Sequence, residues 1–337
     1  MSDTLTLQQP PIEYLKDKRY FGRAAKAFAL WIRNPVSEGG AKQIFRMMYS
    51  LAGPEIHRKA RHMKRDERFA YLFTERPDLG KALTDMAALK ELPEGSLGKG
   101  YHDFMDGEGI FPGYVIAGLA YRNGHFDGLV DWDEDAKYLV LRAGNTHDIT
   151  HVIGGYGSDF SGEVINIAFS IGAAGMIPST IALGAARVWG FLSAIALRPT
   201  IGIKNFVSVC MDAARRGVIM GRNTSLLQIP YESLLNQPLP LVRQQLGLPP
   251  HKHVEYVKDG WIDSAGWAQS RFAKKMESGF GKQNETADRV QKVRELVEQG
   301  GLTIRELMTA PSHRLVDVYM CYYNGGTLEQ MRKILAK

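Results

Sequence analysis

Cysteine is nearly absent from this chain. Cys210 and Cys321 are its two cysteines, and they lie far apart in the sequence. Two distant thiols exclude a disulfide framework and a cysteine-rich zinc site, and the low count is typical of a reducing compartment. Met1 to Pro11 show neither the pattern of a signal peptide nor that of an Arg-rich transit peptide. These features together predict a cytoplasmic location.

Alternation of apolar and polar residues, which marks half-buried strands, is scarce along the whole chain. Helical periodicity is common instead, and 45% hydrophobic residues supply enough apolar side chains for a core. The sequence therefore predicts an all-α fold. Pro249-Pro250 is the expected boundary between a helical domain at 12–250 and a helical C-terminal extension at 251–337, in which no motif stands out.

Proline and glycine place the expected ends of the first helices. Residues 12–33 form an amphipathic pattern that ends at Asn34-Pro35, and residues 37–51 form a second one that Gly53-Pro54 closes. Pro54 is then expected to open a separate basic helix.

Basic residues are concentrated near the start of the chain. Residues 16–68 carry 14 Lys and Arg against 5 Asp and Glu, a net charge of +9 in a chain whose total is +6. The stretch could bind an anionic membrane surface or nucleic acid, or it could be a solvated helical surface. No zinc-finger, RRM-type or OB-type signature accompanies the charge, so we expect no nucleic-acid partner.

Charge is missing altogether from Val164 to Ala186, and again from Val188 to Leu197. The length alone would allow a transmembrane helix. Polar side chains, glycines and Pro178 argue against a span and favour two buried helices, broken near Pro178, with room for a long apolar ligand between them. A plain hydrophobic core is the remaining interpretation.

The most informative stretch contains His147, Asp148 and His151, followed by a glycine-rich turn and by Glu163. Histidines four residues apart lie one above the other on a helix, and Asp148 falls within about 100° of them. The glycines permit a sharp turn that can return Glu163 to the same face. Imidazole nitrogens and carboxylate oxygens are ligands for Zn²⁺, Fe²⁺ or Mn²⁺. The pattern predicts a metal site; the alternative is an ordinary helix surface followed by a carboxylate at a helix N-terminus.

Residues just before and well after this stretch carry further charges. Asp133 and its acidic neighbours fit the N-terminus of the helix that leads to His147, although 144–146 could interrupt that helix. A later cationic cluster could hold a phosphate or carboxylate, or could be a helix surface. The cluster consists of Lys204, Arg215, Arg216 and Arg222.

The chain resembles the coenzyme Q (ubiquinone) biosynthesis protein 4 family. The carrying motif is His-Asp-x-x-His, eleven residues and Glu, which stands here as His147, Asp148, His151 and Glu163. Supporting similarities, spread over 24–248, are Glu75-Arg76-Pro77, Glu91-Leu92-Pro93, Arg142, Tyr231-Glu232 and Val242-Arg243.

This resemblance implies an all-helical domain with a bound divalent metal, an apolar cavity for a polyprenyl tail, membrane association and homodimers. It also implies metal-dependent decarboxylation, oxidative or not, of a polyprenylated benzoate during ubiquinone assembly. Zinc is the expected ion, with iron, manganese and magnesium as alternatives. His147, His151 and Glu163 are expected to hold the ion, and Asp148 to be a fourth ligand, an orienter of an imidazole or a catalytic group.

Other ubiquinone-biosynthesis proteins and a membrane surface are the partners that the resemblance implies. Together with the expected cytoplasmic location, this predicts a peripheral protein on the inner face of the cell membrane. A non-catalytic, prenyl-lipid-binding scaffold is the alternative to the enzyme. A metal phosphohydrolase is a third possibility, but it lacks a second His and Asp that could be assigned.

Overall fold

The computed structural model describes residues 15–33, 38–107, 129, 131–252, 274–276 and 292–337. Within these ranges the protein is helical and contains no strand, which confirms the all-α class. An isolated bridge joins Ser96 to Pro238. The predicted N-terminal segment at Met1 to Pro11 lies outside the described residues.

The helices divide into a main part and a C-terminal part. The main part contains α1 (Phe21–Arg33), α2 (Glu38–Arg65), α3 (Tyr71–Thr74), α4 (Leu79–Thr84), α5 (Met86–Lys90), α6 (Leu97–Gly107), α7 (Glu134–Gly154), α8 (Phe160–Ala173), α9 (Ser179–Leu197), α10 (Ile203–Asn223), α11 (Tyr231–Leu234) and α12 (Leu239–Gln245). The C-terminal part contains a π-helical turn at Glu295–Gln299, then α13 (Ile304–Thr309), α14 (Ser312–Tyr323) and α15 (Leu328–Ala336).

Helix α2 shows that the predicted break at Gly53-Pro54 is wrong. The helix runs unbroken from Glu38 to Arg65 with Pro54 inside it. Proline has no N–H to bond the carbonyl of Ser50, four residues earlier, but the Tyr20 N–H donates to that oxygen over 2.7 Å. A tertiary hydrogen bond therefore replaces the one that the proline removes.

The same contact explains why α1 begins at Phe21 and not at residue 12. The Tyr20 N–H donates to the Ser50 carbonyl of α2, and the Lys16 N–H donates to the Asp131 carboxylate over 3.1 Å. Backbone groups that are bonded to distant parts of the chain cannot also form helical bonds. Residues 15–20 therefore have an irregular conformation.

Helix α7 carries the two histidines and starts as predicted. Asp133 is its N-cap, accepting from the Ala136 N–H over 2.8 Å, and two acidic residues follow in the first turn. The interruption that 144–146 allowed does not occur, since the helix continues to Gly154. A Cβ on Gly144 would lie 2.9 Å from the Phe45 ring, so this glycine allows α2 to approach closely.

Arg142 connects α7 to the α11 region through a buried ion pair. Its guanidinium donates to both Glu232 oxygens, over 2.8 and 3.1 Å, and to the Ile229 carbonyl over 2.8 Å. The Arg142 side chain is almost wholly buried. The pair joins two segments 90 residues apart that the sequence analysis noted separately.

The uncharged stretch forms α8 and α9, separated by a turn that includes Gly175 and ends at Pro178, as predicted. Helix α8 is largely buried, but α9 exposes Ile181, Val188 and Ile195 by 49–58%. The expectation that both helices are buried is therefore wrong for α9. Helix α9 is long and apolar enough to cross a membrane by length and composition, and a third of its apolar window is buried.

Glycines allow α8 and α10 to touch backbone to backbone. A Cβ on Gly172 would lie 2.2 Å from the Ala214 carbonyl oxygen, and one on Gly217 would lie 2.1 Å from the Phe169 carbonyl oxygen. Glycine in this uncharged stretch thus permits direct helix contact at α8. The apolar cavity for a lipid remains a prediction.

Three groups of buried apolar side chains form the interior of the described residues. Two of them fill the main part, and the third fills the C-terminal part between Met276 and Met331. Ile304 contacts both the larger main core and the C-terminal core. A separate core agrees with a helical C-terminal unit, although the boundary at Pro249-Pro250 remains a prediction.

We predict that Gly217→Ala lowers the free energy of unfolding by at least about 2 kcal/mol, because the new methyl must displace helix backbone. Gly184→Ala in α9 is the matched control, because a Cβ there meets nothing within 4 Å. This control should be neutral or stabilising by up to about 1 kcal/mol. Urea unfolding followed by circular dichroism measures both, and equal stability of the two variants would contradict the backbone contact.

Candidate metal centre

The turn between α7 and α8 brings the predicted site residues together. Gly155 ends α7 in the left-handed region, with φ of +76°, and the N–H groups of Gly155 and Tyr156 both donate to the His151 carbonyl. Helix α8 begins soon afterwards, so Glu163 lies in its first turn. The glycine-rich turn therefore returns the chain to α7, as the sequence predicts.

The ligand atoms of His147, His151 and Glu163 converge on one point. His147 Nε2 lies 3.1 Å from Glu163 Oε2 and 3.4 Å from His151 Nε2, and His151 Nε2 lies 3.7 Å from Glu163 Oε2. Atoms bound to one Zn²⁺ at ordinary bond lengths lie about 3.3 Å apart in a tetrahedron. The spacing and the donor set, two imidazoles and one carboxylate, fit zinc or ferrous iron. We call these three residues the His-His-Glu trio.

The orientation of His151 is determined by its second ring nitrogen. Nδ1 donates to the Gly157 carbonyl over 2.8 Å, which leaves the lone pair of Nε2 directed at the trio. The ring stacks on Phe104 of α6 at 5.5 Å and is buried. The His147 side chain is 32% exposed, so the trio is accessible from the side of His147.

The three groups also change each other's pKa. Burial raises the pKa of Glu163, but the charges of the two histidines outweigh this effect and hold that pKa well below its usual range. Burial lowers the pKa of His147, but the neighbouring Glu163 carboxylate outweighs it and raises that pKa. The trio thus favours a positive charge between its ligand atoms. A divalent cation bound there would compete with the proton on His147.

Asp148, the fourth predicted member, does not join the trio. It is buried near Tyr101 of α6, whose pKa is raised by burial and by the Asp148 charge. Among the described residues neither Asp148 Oδ2 nor the Tyr101 hydroxyl has a hydrogen-bond partner. The predicted roles of Asp148, as ligand, orienter or catalytic group, remain predictions.

Asn166 holds α8 against α7 next to the trio and was not among the predicted site residues. Its amide donates to the His147 carbonyl over 3.3 Å, and its oxygen accepts from the Thr150 hydroxyl over 3.1 Å. Asn166 follows Glu163 by three residues and so shares its helical face. A side-chain amide within an otherwise apolar part of the helix was the available signal.

Two arginines close the C-terminal end of α7. Arg243 donates to the carbonyls of Val152 and Ile153 over 2.8 and 2.9 Å, and Arg216 donates to the carbonyl of Gly154 over 2.9 Å. The last carbonyls of a helix have no partner within it and favour nearby positive charge. These contacts anchor the helix end directly after His151.

One member of the cationic cluster, Arg216, is not available to bind an anion. Arg216 is buried, and it also donates to the Tyr156 hydroxyl over 2.5 Å and to the Pro249 carbonyl over 2.9 Å. Its donors are thus directed at the protein itself. The other members of the cluster, Lys204, Arg215 and Arg222, are exposed on α10. The structure therefore favours the helix-surface interpretation.

We predict that the full chain purifies with about one divalent transition metal ion. His151→Ala and Glu163→Ala should lose the ion while keeping their helicity, whereas Asp148→Asn should keep it because Asp148 lies outside the trio. The exposed His62→Ala is the control. Elemental analysis with circular dichroism tests all variants. Metal loss in Asp148→Asn would show that Asp148 is a ligand. If His151→Ala and Glu163→Ala contain as much metal as the wild type, the trio is not the metal site.

Residues 40–252 match the family described as Coenzyme Q (ubiquinone) biosynthesis protein Coq4. The match contains α2 to α12 apart from the first two residues of α2, and therefore the whole trio. The C-terminal part, including α13, lies outside it.

Individual relatives carry the same description. The mouse protein "Ubiquinone biosynthesis protein COQ4 homolog, mitochondrial" is 31% identical over 194 residues, which are 57% of this chain and 65% of the relative. The human homolog is 29% identical over 195 residues, 57% of this chain and 66% of the relative. The chain thus covers slightly less than two thirds of these relatives. A crystal structure from Nostoc punctiforme covers 69% of this chain and 100% of that one, at 20% identity and a TM-score of 0.47.

The relatives contradict one expectation. Those from mouse, rat and Debaryomyces hansenii are mitochondrial by name. The predicted cytoplasmic location, peripheral on the inner face of the cell membrane, is therefore wrong. The low cysteine count behind that expectation indicates a reducing environment and does not distinguish one such compartment from another.

Proposed function

The chain belongs to the coenzyme Q (ubiquinone) biosynthesis protein Coq4 family, and on this premise we propose that it removes the ring carboxylate of a polyprenylated benzoate-type intermediate in a metal-dependent reaction. The observation that carries the proposal is the His-His-Glu trio, whose three ligand atoms lie 3.1–3.7 Å apart. Other ubiquinone-biosynthesis proteins are the proposed partners.

In the proposed reaction the bond between the ring and the carboxylate carbon breaks, and CO₂ leaves. In the non-oxidative form the electron pair stays on the ring carbon, and a proton takes the place of the carboxylate. In the oxidative form dioxygen provides a hydroxyl oxygen to that carbon. A two-electron donor and two protons then convert the other oxygen atom to water.

Each residue of the trio has its own role in binding the metal ion and the substrate. A bound divalent ion would supply Lewis-acid stabilisation of the charge that develops on the substrate. Glu163 would neutralise part of the positive charge of the ion, while the Gly157 carbonyl keeps His151 in the tautomer that can ligate. The partial exposure of His147 gives the substrate its direction of approach. Zinc suits the non-oxidative reaction, and iron suits the oxidative one.

Asp148 and Tyr101 are the groups that we propose for proton handling. Both have a buried oxygen without a hydrogen-bond partner among the described residues, and the charge of Asp148 reaches the Tyr101 hydroxyl. A carboxylate and a hydroxyl in this position can orient or deliver the proton that replaces CO₂. Asp148 follows His147 in the chain, and its charge acts on the His147 imidazole.

Access to a prenylated substrate is supported by the exposed face of α9. Its apolar side chains recur at spacings of three, four and seven residues and so form one stripe on the helix. The stripe consists of Ile181, Val188, Phe191, Leu192 and Ile195, each 42–58% exposed. Arg187 and Arg198 lie on the same helix and at its end, where they suit anionic lipid head groups. We propose that this face rests on a membrane.

The same face supports a second candidate, a prenyl-lipid-binding scaffold in which the metal is structural. Both candidates need the membrane contact, and they differ in whether the trio performs chemistry. The scaffold has no need for an accessible His147 or for the unpaired buried oxygens of Asp148 and Tyr101. These features favour the enzyme.

We predict that metal-loaded protein releases CO₂ from a carboxyl-labelled, short-chain prenylated 4-hydroxybenzoate, in air or without oxygen. His151→Ala should lower the rate by at least about 100-fold, since it removes the charge stabilisation. Asp148→Asn should keep the ion and still slow the reaction, whereas His62→Ala should behave as wild type. Protein that binds metal and prenylated acid but releases no CO₂ under either atmosphere would support the scaffold instead.

A further inference from the structure

Helix α6 carries a half-buried aromatic side chain, Phe104, to the His-His-Glu trio. The helix packs closely on α7, since a Cβ on Gly100 would lie 3.5 Å from the Val152 side chain. Phe104 follows Gly100 by four residues and therefore lies one turn further along the same helical face. There its ring meets the ring of His151, the residue before Val152. The close packing of α6 on α7 thus determines where the Phe104 ring lies.

The first turn of α6 is fixed by the segment that leads to α12. The Leu97 N–H donates to the Gln237 carbonyl over 2.8 Å, and the Gly98 N–H donates to the Leu235 carbonyl over 2.7 Å. A Cβ on Gly98 would lie 3.0 Å from that carbonyl oxygen, so the two segments lie in close contact. A side chain on a helix that is held in this way is placed more precisely than one on a loop.

The Phe104 ring lies nearly parallel to the His151 ring, with centroids 5.5 Å apart and an angle of 24° between the planes. Since His151 Nε2 is one of the three converging ligand atoms, Phe104 lies beside the trio. Among the described residues His151 is the one whose ring contacts Phe104. The Phe104 side chain is only half-buried, which leaves apolar ring surface for a ligand.

An aromatic acid bound at the trio would bring its ring next to Phe104. The carboxylate of a benzoate is attached directly to the ring, so a carboxylate held at the trio keeps the ring close to His151. Aromatic rings attract each other in offset-stacked or edge-to-face arrangements, with centroids roughly 4.5–7 Å apart. A saturated ring buries apolar surface as well but has no π-electron quadrupole, and it gains less from an aromatic neighbour.

We propose that Phe104 contacts the ring of the substrate and favours aromatic over saturated acids at the trio. The inference rests on the proposed function, since it requires an acid whose carboxylate binds at the trio. It adds a specificity-determining residue from α6, a helix that precedes the stretch with the trio in the chain. Leucine is apolar but has no ring, whereas tyrosine keeps the ring, so two substitutions at Phe104 separate the ring from its apolar character.

The test is binding of two acids to the zinc-loaded full chain, measured by isothermal titration calorimetry. The probes are 4-hydroxybenzoate and trans-4-hydroxycyclohexanecarboxylate, which share the carboxylate and the hydroxyl and differ in the ring. The ratio of the two affinities should fall roughly three- to tenfold in Phe104→Leu, as expected for loss of an aromatic pair, and stay near the wild-type value in Phe104→Tyr. Phe69→Leu is the matched control and should keep the wild-type ratio, because Phe69 is also half-buried but packs against the other main core.

The outcomes separate this inference from the proposed reaction. An equal ratio in wild type and Phe104→Leu overturns the contact, whatever the CO₂ assay shows. If Phe104→Leu contains less zinc by elemental analysis and keeps the wild-type ratio, the ring only holds His151, and the contact is again overturned. A lower ratio in Phe104→Leu supports the contact even if no CO₂ is released, in which case the proposed reaction alone fails. Wild-type protein that binds neither acid contradicts both.

Discussion

The hydrogen bonds of the buried Arg216 guanidinium are the interactions on which the geometry of the site most depends. The guanidinium bonds the last carbonyl of α7, the Tyr156 hydroxyl and the Pro249 carbonyl, and so joins α10, the glycine-rich turn and the end of the matched region. A cation can be buried here because the terminal carbonyls of a helix carry partial negative charge and lack helical partners. The position of His151 follows, since it lies three residues before that carbonyl.

The rest of the main part keeps α8 in place opposite α7. Backbone contact through Gly172 and Gly217 leaves α8 little freedom against α10, and Asn166 bonds α8 to the carbonyl of His147. Glu163 is carried on this fixed helix, so its carboxylate meets both imidazoles without a mobile loop. The site thus combines a rigid interior with one accessible side, and α9 carries a separate, exposed apolar face.

The sequence predicted most helices and misplaced several of their ends. The all-α class, the N-cap at Asp133 and the break before α9 follow from local patterns, because capping and proline sterics act over a few residues. The continuation of α2 through Pro54 could not be read in the same way. It depends on the Tyr20 N–H, which lies 30 residues before the Ser50 carbonyl in the chain and is adjacent to it only in the fold.

In the candidate site, too, local features could be predicted from the sequence and long-range contacts could not. The spacing of His147, His151 and Glu163 sufficed to predict a converging trio, because a helical turn and a glycine-rich reversal involve only neighbouring residues. The contacts that hold α7 in place come from distant segments: Arg142 pairs with Glu232, and Arg216 bonds the last carbonyl of α7. Side chains of one type look alike in a sequence. Which arginine bonds a carboxylate and which bonds a carbonyl was decided by packing between distant segments, which the tertiary structure alone brings together.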